Sequence, residues 1–133
     1  MKFHFTSRRE EQMSKTSTAI IALIAAIFSG GAAVAHPQLQ TSDPAAGAAT
    51  VPPKEIRITF NEGVIPQFSG IEIKDKAGRK IATGKSTIDP ADKKRLVVPV
   101  KEDMAPGDYK VEWHAVSDDT HRVRGSYSFR VTR

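Results

Sequence analysis

Cysteine is absent from this sequence. No disulfide can staple the fold, and no thiolate can hold a metal or act as a nucleophile. Any metal must be held by histidine, carboxylate, backbone or a chain-terminal amine. Methionine is nearly as scarce. Of three, Met1 and Met13 lie near the start and Met104 alone lies beyond residue 36. There is one tryptophan, Trp113, and aromatic residues are only 7% of the chain, so stacking surfaces for sugars or bases are sparse. Positive charge is present but not concentrated. Lys54, Arg57, Lys74, Arg79, Lys93, Lys94 and Lys110 are scattered without aromatic interleaving, which argues against nucleic acid as a partner. No stretch after Ala35 carries a helical period.

The start of the chain reads differently from the rest. Lys2, Arg8, Arg9 and Lys15 form a basic leader, Ala19 to Phe28 is an apolar run, and Ala33-Val34-Ala35 is a small-residue triplet. These are the three parts of a secretory signal peptide. The apolar run falls short of the roughly 20 residues that a spanning helix needs. The alternative is an uncleaved membrane anchor. Residues 1–35 are expected to be a cleaved signal peptide, with translation from Met1 or Met13. Residues 36–133 are expected to form one exported domain, not embedded in the membrane after cleavage.

Prolines and glycines cut that domain into short pieces. Residues 36–49 are rich in proline and alanine, with a turn at Ser42-Asp43-Pro44. Glu55 to Phe60 and Gly70 to Lys74 alternate apolar and polar residues, as do Tyr109 to Val116 and Gly125 to Val131. Alternation marks half-buried strands. Lys80-Ile81-Ala82 reads as a short partner strand, and Arg95 to Val100 as another with Pro99 near its end. About seven short strands with regular punctuation predict an all-β domain. Its expected form is an antiparallel sandwich or barrel of immunoglobulin-like character, with Trp113 as the large core residue.

Only His36, His114 and His121 remain as histidines beyond the leader. Cleavage after Ala35 would free the His36 α-amine beside its own imidazole. Amine and Nδ1 of one residue can close a six-membered chelate ring, and nitrogen donors of this kind suit copper(II). The plainer reading is that a terminal histidine is incidental. Pro37 has no backbone N–H, so the next peptide nitrogen cannot be recruited and further ligands must come from elsewhere. Asp119 and His121, spaced i, i+2, are candidates for a carboxylate and an imidazole, completing four in-plane donors. An ordinary polar hairpin loop would look the same. His114 falls on the strand face opposite Trp113 and should be exposed.

The chain resembles the CopC family of periplasmic copper-resistance proteins. The residues that carry the resemblance are Ala35-His36-Pro37-Gln38-Leu39, Asp43-Pro44-Ala45-Ala46-Gly47-Ala48, Phe60-Asn61-Glu62-Gly63-Val64, Trp113 to His121, and Gly125-Ser126-Tyr127-Ser128-Phe129. It implies a seven-stranded Greek-key β-barrel holding one copper(II) per chain. The implied ligands are the amine and imidazole of His36, the imidazole of His121 and the carboxylate of Asp119. Asp118 is the alternative if the loop register differs. Glu62 falls where the family places an outer carboxylate that orients the terminal residue by hydrogen bonding. Some relatives bind copper(I) through a methionine-rich loop. Residues 81–96 here contain neither methionine nor histidine, so the chain resembles the copper(II)-only branch.

The expected function is that of a monomeric, periplasmic copper carrier or buffer, not an enzyme, in copper homeostasis or resistance. Family analogy suggests an inner-membrane copper importer as its recipient. Two other classes compete. One is a copper-dependent oxidative enzyme, which also uses a terminal-histidine chelate but needs an open coordination position. The other is a metal-free immunoglobulin-like interaction module.

Overall fold

The computed structural model describes residues 36–133, so the expected signal peptide lies outside the described residues. Hydrogen bonding delimits eight strands among them: β1 (Leu39–Asp43), β2 (Ala49–Thr50), β3 (Glu55–Phe60), β4 (Gly70–Asp75), β5 (Thr87–Asp89), β6 (Asp92–Pro99), β7 (Gly107–Val116) and β8 (Arg122–Val131). A single 3-10 turn, Pro66–Phe68, precedes β4. The strands form two four-stranded sheets, ordered β1-β3-β6-β5 and β2-β8-β7-β4. All pairings are antiparallel except β2 with β8. The all-β expectation and the sandwich alternative match this architecture. The barrel does not, because the two sheets remain separate and no sheet closes on itself.

Alternation decides which side of each strand is buried. Ile56, Ile58 and Phe60 of β3 and Leu96 and Val98 of β6 point inward from one sheet. Ile71 and Ile73 of β4, Tyr109, Val111, Trp113 and Ala115 of β7, and Phe129 and Val131 of β8 meet them from the other. Phe60 and Trp113 join the layers edge to face, with ring centroids 5.2 Å apart. Such a contact adds roughly 0.5–1.5 kcal/mol to the burial of the two rings. Trp113 also explains a glycine. Gly125 is its partner across the β7–β8 ladder, and a Cβ there would lie 2.5 Å from the indole ring.

Lys80 and Ile81 pair with the edge of β4 as expected, but only through an isolated bridge at Lys80 and one hydrogen bond from Ile81 to Ile73. The ten-residue strands β7 and β8 form the longest ladder, running from Gly107↔Val131 to Val116↔Arg122. Its last pair delivers the chain into the loop Ser117–His121.

Candidate metal centre

The loop between β7 and β8 is closed by its own backbone. The Ser117 N–H donates to the His121 carbonyl (3.0 Å), and the Thr120 N–H donates to the Ser117 carbonyl (2.9 Å). Thr120 takes a left-handed conformation, with φ of 70°. That region is sterically costly for a β-branched residue, and such outliers concentrate at functional sites. The turn lifts Asp119 and His121 into solvent while Ser117 stays 1% exposed beneath them.

Asp119 is held from two sides. The buried Ser117 hydroxyl donates to Oδ1, and His121 Nδ1 lies 3.0 Å from Oδ2. The Ser117 hydroxyl first, and the His121 ring after it, hold the Asp119 carboxyl below the usual range, at about 2. The carboxylate also fixes the imidazole. With Nδ1–H donating to Asp119, the lone pair of His121 sits on Nε2, the nitrogen then open to a metal.

His36 stands against this ring. The two imidazoles meet edge-on, with centroids 4.9 Å apart and planes at 83°. Imidazoles sharing one ion at about 2.0 Å from nitrogen hold their centroids roughly 4.5–6 Å apart, so the spacing fits a common ion. The segment bearing His36 is tied to the end of β3 by Asn61. Its side-chain oxygen accepts from the Gln38 N–H (2.7 Å), its amide nitrogen donates to the His36 carbonyl (3.3 Å), and its own N–H donates to the Gln38 carbonyl (3.0 Å). Pro37 is fully buried between these contacts. Nothing in the sequence singles out Asn61: it lies in the Phe60-Asn61-Glu62-Gly63-Val64 motif, where the alternation of Glu55 to Phe60 breaks.

The next residues of that break reach the other half of the site. Val64 bridges to Ser117, the Ile65 N–H donates to the Val116 carbonyl (2.8 Å), and the Asp118 N–H donates to the Gly63 carbonyl (3.3 Å). The Asp118 carboxylate lies over Gly63, where a Cβ would come within 2.6 Å of it. Asp118 thus turns toward the 61–65 segment, whereas Asp119 turns toward His121. Glu62 is half-buried, with Oε1 sealed from solvent and without a hydrogen-bond partner. An unsatisfied buried oxygen costs about 1–3 kcal/mol, so a donor supplied from outside the present contacts would be favoured there. His114 is exposed as expected, on the outer face of β7 beside Gly70.

Among the described residues no three His, Asp or Glu side chains already surround one point. The fold brings together His36 with His121 and His121 with Asp119. The carboxylate of Asp119 is spent on Nδ1 and Ser117 in this arrangement.

Residues 39–132 match the CopC domain family. The chain belongs to the CopC family. It is 40% identical over 98 residues to Protein YobA of Escherichia coli K12, covering 73% of this chain and 79% of that protein. It is 36% identical over 123 residues to the copper resistance protein C of Escherichia coli, covering 80% and 94%. The crystal structure of PcoC, a methionine-rich copper resistance protein from Escherichia coli, superposes with a TM-score of 0.67 at 36% identity. That match covers 74% of this chain and 100% of PcoC. CopC proteins are copper-resistance proteins rather than enzymes, which sets aside the oxidative-enzyme reading. Family membership equally favours copper binding over a metal-free module. Among the described residues no helix is long and apolar enough to cross a membrane.

Proposed function

We propose that residues 36–133, freed by cleavage after Ala35, are a periplasmic carrier or buffer that binds one copper(II) per chain. The Greek-key fold of the family and delivery to an inner-membrane importer go with this reading. The observation that carries it is the 4.9 Å edge-on approach of His36 and His121, with Asp119 on the far nitrogen of the second ring. The amine and imidazole of His36 supply two donors and Nε2 of His121 a third. Asp119 becomes the fourth by swinging off Nδ1 as the ion arrives. Glu62, whose sealed oxygen lacks a donor, is the outer carboxylate that would orient the terminal residue. Four nitrogen and oxygen donors in one plane are the set copper(II) prefers. Met104, the sole methionine in this segment, is buried in the core, so a copper(I) site of thioethers has no material.

The test is a copper(II) competition titration of the chain beginning at His36, with its α-amine free or acetylated. Acetylation converts the amine into an amide and removes the chelate without supplying a new amine. The free-amine chain should bind one equivalent at least about a hundredfold more tightly. Equal affinity would remove His36 from the site.

A further inference from the structure

Apart from Arg133, which among the described residues also has no carboxylate within ion-pair distance, the arginines of the domain divide into two groups. Arg57 pairs with Glu55, Arg79 with Asp75 and Glu102, Arg95 with Asp89 and Asp92, and Arg130 with Asp108. Arg122 and Arg124 open β8 directly after the metal loop, and among the described residues neither has a carboxylate within ion-pair distance. Both are exposed on the outer face of the β7–β8 ladder, where Arg124 sits across from His114 and Arg122 across from Val116.

The same spot holds an exposed aromatic ring. Phe68 is 61% exposed, one of two large apolar residues so placed in the described domain. Phe68, His114, Val116, Arg122 and Arg124 border one hollow of about 230 Å³. A wider hollow of about 560 Å³ shares His114 and Arg124 and continues along Lys110 and Glu112. There the charges are already matched: Glu112 takes Lys74 and Lys110, and Glu72 takes Lys80. Unmatched positive charge and exposed ring therefore coincide at the end of the sheet nearest the loop that carries His121.

We propose that Phe68, His114, Arg122 and Arg124 form a docking surface for an acidic segment of a partner protein, set beside the metal loop. Charge complementarity selects that occupant. Guanidinium forks match carboxylates in pairs, and arginine and aromatic residues are the types enriched where proteins bind one another. An anionic lipid surface is the weaker match, since such recognition typically draws on about four to eight clustered cations and only two are unmatched here. Docking at this point brings a partner alongside His121 without covering the core. That the partner exchanges copper rests on the function proposed above; the docking itself does not.

The experiment uses metal-free protein starting at His36 and labelled for amide NMR. It is titrated with a short synthetic peptide of Asp and Glu around one leucine, and separately with phosphatidylglycerol vesicles. The expected result is salt-sensitive shifts centred on Phe68, His114, Arg122 and Arg124 with the peptide. Affinity should fall about tenfold in the Arg122→Ser/Arg124→Ser double variant and remain unchanged in Lys110→Ser. Phe68→Ser should weaken binding without abolishing its salt dependence. A copper(II) titration of the same variants should match that of the unaltered chain, which separates loss of docking from loss of the metal site. Peptide shifts scattered over the other basic residues, or vesicle binding without peptide binding, would overturn the proposal.

Discussion

The two halves of the candidate centre are held in opposite ways. The His121 half is local: five consecutive residues close on themselves through Ser117, Asp119, Thr120 and His121. The His36 half is remote. Its place depends on Asn61, 25 residues away, and on the burial of Pro37. A loop that orders itself needs only its hairpin, whereas a terminal segment is ordered only if the fold supplies partners. The local half should thus keep its shape when the other is disturbed, whereas binding, on the reading proposed above, needs both rings.

The comparison breaks most visibly at His121. His121→Ala removes one nitrogen donor and the group that Asp119 orients. Copper(II) affinity at neutral pH should fall by about a hundredfold or more. It should also lose one competing proton, since the ring must be unprotonated to bind metal. Competition titrations from about pH 5 to 8 should show a shallower slope for the variant than for the unaltered chain. Parallel slopes would mean that His121 is not a ligand.

Asn61→Ala addresses the remote half. Both side-chain bonds to the 36–38 segment disappear, while the Asn61 N–H bond to Gln38 remains. Each lost bond is worth roughly 0.5–1.5 kcal/mol, so unfolding free energy should drop by about 1–3 kcal/mol. Copper affinity should fall about tenfold because the segment bearing His36 must then be ordered by the ion itself. The two readouts separate here. A loss of stability with unchanged affinity would show that Asn61 holds the fold and not the histidine.

The unequal legibility of the two halves follows from the same contrast. Strands β3, β4, β7 and β8 turn alternate residues toward the core, so strict alternation declares them. Strands β1, β2 and β5 lie at sheet edges with mostly exposed or half-exposed residues, and their sequences carry no such pattern. β1 lies in a stretch whose sequence signature is its proline and alanine content. In the candidate site, His36 and His121 stand out because histidine is rare in this chain, and Asp119 only through its spacing from His121. Asn61 does not, since an asparagine after a strand is ordinary turn chemistry and its partners are distant in sequence. The choice between Asp118 and Asp119 was open to spacing alone. It depends on the turn at Thr120, which no period in the sequence announces.

A smaller effect concerns acid stability. The Asp119 carboxyl lies at about 2 in the folded chain, against about 3.9 for a free aspartate. A depressed folded value means the contribution is present above the unfolded value. It is lost as pH falls from about 4 through about 2. Asp119→Asn should therefore flatten the unfolding curve over that acid window and change it little near neutrality. The group is exposed, so the effect is expected to be modest and weakened by salt. Chemical denaturation at several pH values checks it. An unchanged acid limb would mean that the Ser117 and His121 contacts do not persist in solution.

The least effect is expected at Thr120, where the local half carries its own strain. A left-handed φ of 70° is unfavourable for a β-branched residue by roughly 1–2 kcal/mol. Glycine removes that penalty but enlarges the unfolded ensemble, which returns roughly 0.4–1 kcal/mol. Asparagine tolerates the conformation without as large an entropic loss. Thr120→Asn should therefore stabilise the domain by about 1 kcal/mol and Thr120→Gly by somewhat less, read as shifts in the denaturant midpoint. Copper affinity should change little in either, because the backbone that presents Asp119 and His121 is retained. If Thr120→Gly is stabilising but binds copper(II) several-fold more weakly, the threonine stiffens the loop. The local half would then be preorganised by its strained residue as well as by its hydrogen bonds.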